Sequence, residues 1–117
     1  MAAHPATTPL AMRLERIRDL GGIRARDVAQ LLDTTPETVS RWNTGRVEPL
    51  REKLHRLLEL EWLMEQLAQL YAPEEAKLWL FSRHRLLGGE APASLIQRGE
   101  IDRVLVVFDQ LRDGTFA

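Results

Sequence analysis

Residues 24–45 read Arg24-Ala25-Arg26-Asp27-Val28-Ala29-Gln30-Leu31-Leu32-Asp33-Thr34-Thr35-Pro36-Glu37-Thr38-Val39-Ser40-Arg41-Trp42-Asn43-Thr44-Gly45, and this stretch decides the fold. Two short helices are expected, Ala25 to about Leu32 and Thr35-capped Pro36 to about Thr44, with Gly45 as the stop. Val28, Ala29 and Leu32 on the first, and Val39 and Trp42 on the second, are the inward positions. Ala29 is small enough for two helices that cross steeply at closest approach. Asp33 stands at the turn position where glycine is usual, and Asp tolerates the left-handed backbone better than most residues. Two helices, a tight turn and this inward set make a helix-turn-helix arrangement of the kind that binds DNA.

Outward from this pair, glycine and proline divide the rest of the chain into further helices, and almost nothing alternates with period two. Thr8-Pro9 opens a first helix with the stripe Leu10, Leu14, Ile17, ended by Gly21-Gly22. Pro49 opens a long leucine-rich helix through about Tyr71, and Pro73 opens another through Phe81 with Glu74 and Glu75 at its positive end. Leu86-Leu87-Gly88-Gly89 reads as a loop, Pro92 to Gln97 as a short helix, and Ile101 to Arg112 as the last, followed by Gly114. Residues 1–8 carry no period and read as a flexible tail.

Composition limits the function classes. The 117 residues hold 16 Lys plus Arg and 17 Asp plus Glu, so the net charge is −1 and a globally basic nucleic-acid coat is excluded. With no cysteine there are no disulfides, thiolate metal sites or thiol nucleophiles, which suits a cytoplasmic location. No apolar run reaches the roughly 20 residues of a membrane helix, and no signal peptide is expected. His4, His55 and His84 share no close helical spacing, so neither a metal site nor any other cofactor is expected. Ser82 and His84 do not form a catalytic pair, because residues two apart on a helix do not face each other; the protein is not expected to be an enzyme. The five acids of residues 59–75 read as a solvated face.

With Val39 and Trp42 inward, 100° per residue turns Glu37, Ser40, Arg41 and Thr44 outward, towards a major-groove floor. Arg41 has the fork to bind guanine O6 and N7. Thr35, Thr38 and Asn43 lie nearer the rim, and Arg24, Arg26 and Arg46 flank the helix ends where phosphates run. The segment Leu32 to Gly45 resembles the Xre (Cro/C1-type repressor) helix-turn-helix. It departs from that family at Arg24, where Ser or Thr is frequent, and at Ala25, where a phosphate-contacting Gln is frequent.

The C-terminal half carries a second resemblance. Trp79-Leu80, Leu87-Gly88-Gly89, Pro92-Ala93-Ser94-Leu95-Ile96, Gly99, Val104-Leu105, Phe108, Leu111 and Gly114 follow the order and spacing of the toxin-binding domain of Xre/MbcA/ParS antitoxins, with Arg83-His84 where many members have Pro-Asn. The resemblance implies a type II antitoxin that covers the active site of a RES-domain toxin, one that consumes NAD or transfers ADP-ribose from it, and that represses its own operon by binding operator double-stranded DNA. The implied architecture is all-α: an Xre-type helix-turn-helix bundle (9–48), a long connecting and dimerisation helix (49–71) and a small helical toxin-binding module (72–117). Toxin contacts are expected at Trp79, Arg83, Leu86, Leu87, Gly88, Gly89, Thr115 and Phe116, with Phe116 as an apolar plug. A helix-turn-helix reads only a half-site, so a homodimer is expected within a larger toxin-antitoxin assembly. Leu60, Leu63, Met64, Leu67 and Leu70 are the expected seam. The rival readings are an Xre-family regulator without a toxin partner, and a toxin-binding module whose helix-turn-helix is only a scaffold.

Overall fold

A computed structural model describes residues 8–114. The described residues form seven α-helices and one 3-10 turn: α1 Pro9–Gly21, α2 Ala25–Leu31, α3 Pro36–Asn43, α4 Arg51–Leu67, α5 Pro73–Phe81, the 3-10 turn Arg85–Leu87, α6 Pro92–Gln97 and α7 Ile101–Arg112. The start signals act as the local chemistry dictates. The Thr8 hydroxyl accepts from the Ala11 N–H at 3.0 Å, and the Thr35 hydroxyl accepts from the Thr38 N–H at 3.2 Å. Asp33, between α2 and α3, takes φ 56 and is the one non-glycine with positive φ among the described residues. The N–H of Thr34 closes the turn onto the Ala29 carbonyl at 2.8 Å.

α4 is shorter than the expected 49–71. Leu50 is its extended N-cap, with ψ 156, and the chain tightens after Leu67. There the N–H groups of Gln69 and Leu70 return to carbonyls only three residues back, at 3.1 and 3.0 Å. Pro73 holds Ala72 extended, so no helix runs through residue 72.

The buried side chains of α1 to α7 form one continuous cluster, from Leu14 and Ile17 through Val28, Val39 and Trp42 to Leu80, Leu95, Val104 and Phe108. α1 packs on α4 and α5, α2 on α3 and α6, and α6 on α7. The expected boundaries at 48/49 and 71/72 therefore fall at helix ends, with no gap in the core beneath them. Gly21 permits the close approach of α1 to α4, because a Cβ there would stand 2.1 Å from the Met64 methyl.

The leucine-rich face of α4 is the main correction to the sequence reading. Leu60, Leu63, Met64 and Leu67 have zero exposure and pack inside the chain's own core. They cannot form the dimerisation seam expected of them, because their apolar surface is already covered by the chain's own elements. Leu70 alone of the five is exposed, and it lies beyond the end of the helix.

Two cations of α4 tie the α2–α3 unit and α6 to this frame, and ion pairs join α1 to α4. The Lys53 ammonium donates to the Leu32 and Asp33 carbonyls at 2.5 and 3.1 Å. The Arg56 guanidinium donates to the Ile96 and Gln97 carbonyls at 2.6 and 2.9 Å and, more weakly, to that of Leu31 at 3.4 Å. One cation thus serves the C-terminal ends of both α2 and α6, where the helix dipole is negative. Glu61, the single buried charged residue among those described, bonds to Arg13 of α1, and Arg16 bonds to Glu65 at 2.7 Å.

Candidate nucleic-acid and protein interfaces

α3 buries Val39 and Trp42, both 2 % exposed, against α2 and α1, which leaves Glu37, Ser40, Arg41 and Thr44 exposed on the opposite side. Arg24, Ser40 and Asn43 come together along an open groove of about 660 Å³ between α1, α2 and α3, which Arg18 also lines. Arg26 and Arg46 are exposed beside the pair. The threonines are less free. Thr35 and Thr38 share a hydroxyl–hydroxyl bond of 2.9 Å at the helix cap, and the Thr44 hydroxyl donates to the Arg41 carbonyl at 3.2 Å. Among the described residues, the side chains of Arg24, Arg26, Arg41, Arg46, Ser40 and Asn43 have no hydrogen-bond or ion-pair partner, and one of the Thr35 and Thr38 hydroxyl protons is also unused.

The second candidate surface is the loop from Arg83 to Glu90. His84 and Glu90 pair as an isolated antiparallel bridge, with the His84 N–H bonding to the Glu90 carbonyl at 3.1 Å. Between them the 3-10 turn and two left-handed glycines, Gly88 at φ 69 and Gly89 at φ 83, reverse the chain. Open space surrounds both glycines where a Cβ would stand, so they are required by backbone conformation and not by crowding. The loop is braced from below. Trp79, 8 % exposed, meets the His84 ring at 5.0 Å and the Phe108 ring edge-on at 6.0 Å, and the His84 Nε2 bonds to the Trp79 carbonyl at 2.8 Å.

It is also braced from the side. The Arg98 guanidinium forks onto both Glu90 oxygens at 2.7 and 3.1 Å and reaches Glu100 at 3.0 Å. The hydrogen bond from Arg98 holds the Glu90 carboxyl below the usual carboxylate range, and bonds from Arg98 and Arg103 do the same for Glu100. Arg98 is held in its charged form by the same contacts.

Of the expected toxin contacts, Arg83, Leu86, Gly88 and Gly89 are exposed on this loop, whereas Trp79 and Leu87 are buried beneath it and shape it. Thr115 and Phe116 lie outside the described residues. Sequence reasoning missed Arg85, exposed next to Leu86, and Leu78, 68 % exposed on the outer side of α5. It also missed the Glu90–Arg98 fork, whose partners are eight residues apart across a turn that no periodicity reports. Ser82 and His84 are both spent on backbone carbonyls, Ser82 on Leu78 at 2.5 Å. No cluster of three metal-ligating side chains occurs among the described residues.

The basic residues sort into two kinds. Arg13, Arg16, Arg18, Lys77, Arg98, Arg103 and Arg112 pair with acids, and Lys53 and Arg56 cap carbonyls. Arg24, Arg26, Arg41 and Arg46 around α3, Arg51 at the start of α4, and Arg83 and Arg85 on the loop pair with no acid among the described residues. The unpaired cations therefore collect at the two candidate surfaces and at one end of α4.

No protein-family profile matches the chain. Individual proteins do. The mycobacterial cidal antitoxin MbcA of Mycobacterium tuberculosis and that of Mycobacterium bovis are each 37 % identical to it over 95 residues, which cover 81 % of this chain and 84 % of theirs. The chain belongs to the MbcA family of antitoxins. A probable mycobacterial cidal antitoxin of M. tuberculosis, Rv3188, is 28 % identical over the same share of the chain. Among solved structures, a chain of the M. tuberculosis MbcT-MbcA toxin-antitoxin complex superposes with a TM-score of 0.79 at 35 % identity, covering 95 % of this chain and all of that one. The antitoxin likeness thus extends through the N-terminal half as well as the C-terminal half.

Proposed function

We propose that the protein is the antitoxin of a type II pair. In this reading it docks the 83–90 loop and the adjoining end of α5 on a RES-domain, NAD-consuming or ADP-ribosylating toxin, and closes that toxin's active site. The observation that carries the reading is the MbcA likeness over 95 residues, together with a structural counterpart drawn from a toxin-antitoxin complex. The loop suits the task physically. It is braced by Trp79 and Arg98, and it presents exposed Leu86 together with Arg83 and Arg85, which form no ion pair among the described residues, so little ordering entropy is lost on docking. The test is co-expression with the neighbouring toxin, reading growth and cellular NAD. Wild type protects; Leu86→Asp, with helicity and melting unchanged, is expected to lose protection. Full protection by that variant contradicts the docking assignment.

The same reading makes the protein a cytoplasmic autorepressor that binds operator DNA through α3. Its support is the set of arginines around the exposed α3 face, Arg24, Arg26, Arg41 and Arg46, which form no ion pair among the described residues even though Glu37 shares that face. Arg41 is the expected base reader, Arg24, Arg26 and Arg46 the phosphate contacts, and two copies are needed to span an operator. A labelled duplex from the upstream region, titrated at two salt concentrations, is expected to bind with an affinity that falls as salt rises. Absence of binding at low salt, with and without toxin, leaves the scaffold reading in its place.

A further inference from the structure

We infer that Glu37 sets the sequence preference of the α3 face: its carboxylate selects a cytosine and disfavours every duplex that lacks one at that place. The inference deepens the DNA reading proposed above and rests on it. Glu37 is the only acid of α3, and it stands exposed in the first turn of that helix. The buried anchors Val39 and Trp42 lie about 160° and 140° around the helix from it, one to each side, so Glu37 occupies the middle of the outward face. Thr44 lies about 20° from it and Arg41 about 40°. The N-terminal residues of a recognition helix are those that reach base edges. A surface built only to hold phosphates gains nothing from a carboxylate at its centre, because the duplex is itself a polyanion.

Glu37 is also left free by its neighbours. Arg41 follows four residues on, the spacing and order that favour an ion pair on a helix. Elsewhere the chain closes such local pairs: Glu15 with Arg18, Glu100 with Arg103, and Asp109 with Arg112. Glu37 and Arg41 form none among the described residues, so both are available to a ligand. A carboxylate only accepts hydrogen bonds. The major groove offers it two donors, cytosine N4 and adenine N6. Adenine sets the acceptor N7 beside N6, and a carboxylate repels it; cytosine sets a C–H there. Guanine and thymine present acceptors and no donor. Cytosine is therefore the base whose contact offsets the repulsion that Glu37 meets in the groove. The arginines raise affinity for any duplex, whereas Glu37 lowers it for all but one class, and specificity grows from that difference. Arg41 stands about 6 Å further along the axis, so its guanine falls within about two base pairs of the cytosine.

The experiment selects from a pool of duplexes with a randomised core, using the full chain with and without its partner toxin. Binding of the selected duplex and of its single-base variants is then measured. Wild type is expected to enrich a cytosine, and replacing that base is expected to weaken binding about tenfold or more. Glu37→Gln is expected to move the preference at that place to adenine, whose N6 and N7 an amide meets together. Glu37→Ala is expected to make the place indifferent and to raise affinity for unrelated duplexes about two- to fivefold at low salt. That sign is opposite to the one expected of Arg24→Ala or Arg46→Ala. An acid in the first turn also suits the positive helix end. If that is its whole role, both variants lower the melting temperature slightly and leave base preference unchanged, which overturns the inference. A selected site that responds to Arg41→Ala and to neither Glu37 variant also overturns it and leaves the DNA reading standing. Duplex binding with no base enriched does the same, and no duplex binding at all removes the inference and the DNA reading together.

Discussion

Around α3, Arg24, Arg26, Arg41 and Arg46 form no ion pair among the described residues on a surface of polar side chains, whereas on the 83–90 loop exposed Arg83 and Arg85 precede Leu86, which is 46 % exposed. The first surface is a helix whose groups fan out at fixed angles, with two threonine hydroxyls already spent on its cap. The second is a turn of two left-handed glycines held up by a tryptophan and an arginine fork. A polar, cationic helix face matches a phosphate-lined groove, where charge supplies affinity and one side chain reads a base. A cationic loop with an apolar tip matches a protein cleft, where a buried anchor supplies affinity and charge supplies orientation. The two surfaces differ in what holds them: α3 by local capping and two core anchors, the loop by contacts from α5, α7 and Arg98.

The largest effect expected from this difference is on stability. Trp79→Ala removes the support shared by His84 and Phe108 and is expected to cost about 3–5 kcal/mol in denaturant unfolding. Because the core is one cluster, α3 and the loop are expected to unfold in the same transition. Two separated transitions break the comparison at its base, because the halves then stand alone. Arg56→Met, which leaves the Ile96 and Gln97 carbonyls without their charged donor, is expected to cost about 1.5–3 kcal/mol.

On the DNA side, Arg41→Ala is expected to cost about 1–3 kcal/mol at one operator position and to relax specificity there. Arg24→Ala or Arg46→Ala is expected to weaken all duplexes alike and to lower the salt slope by about one. Competition binding with single-base operator variants separates the two outcomes. A uniform loss from Arg41→Ala moves that residue from base reading to phosphate contact.

The smallest effect is that of acid on the loop. Glu90 and Glu100 have carboxyls lowered in the fold by Arg98, so their stabilising contribution is complete above the ordinary carboxylate value of 4.5. It is lost as pH falls through their lowered values. The side-chain carboxyl carbon shifts of Glu90 and Glu100, followed from pH 6 downwards, are expected to stay constant until below that ordinary value and then move. Movement of those carboxyl shifts centred above 4.5 contradicts the fork.

The helices that could be read from sequence are those whose signals are local. Thr8-Pro9, Thr35-Pro36 and Pro73 start helices where capping chemistry places them, and Asp33 takes the left-handed turn that its side chain tolerates. The outward set of α3 was legible because two core anchors, Val39 and Trp42, fix the rotation of a short helix. α4 defeated the same reasoning. Leucines at 54, 57, 58, 60, 63, 67 and 70 cover more than one face, and composition does not say which face the chain itself buries. Packing of α4 into the chain's own core, with α1 against it, decided that, burying Leu60, Leu63, Met64 and Leu67 and leaving Leu54, Leu58 and Trp62 outside. The brace of the loop was illegible for a related reason. Arg98 and Glu90 lie on either side of a turn, and Arg56 meets Ile96 and Gln97 about forty positions away.

The central claim is that this antitoxin meets its toxin through the 83–90 loop. Calorimetric titration of the purified full chain into the purified partner toxin proposed above tests that most directly, with wild type, Leu86→Asp and, as a control at an exposed apolar residue of α1, Met12→Asp. Burial of Leu86 contributes about 1.5–3 kcal/mol, so Leu86→Asp is expected to weaken binding by at least about tenfold while Met12→Asp leaves it unchanged. Equal affinities for all three proteins, each folded, contradict the account.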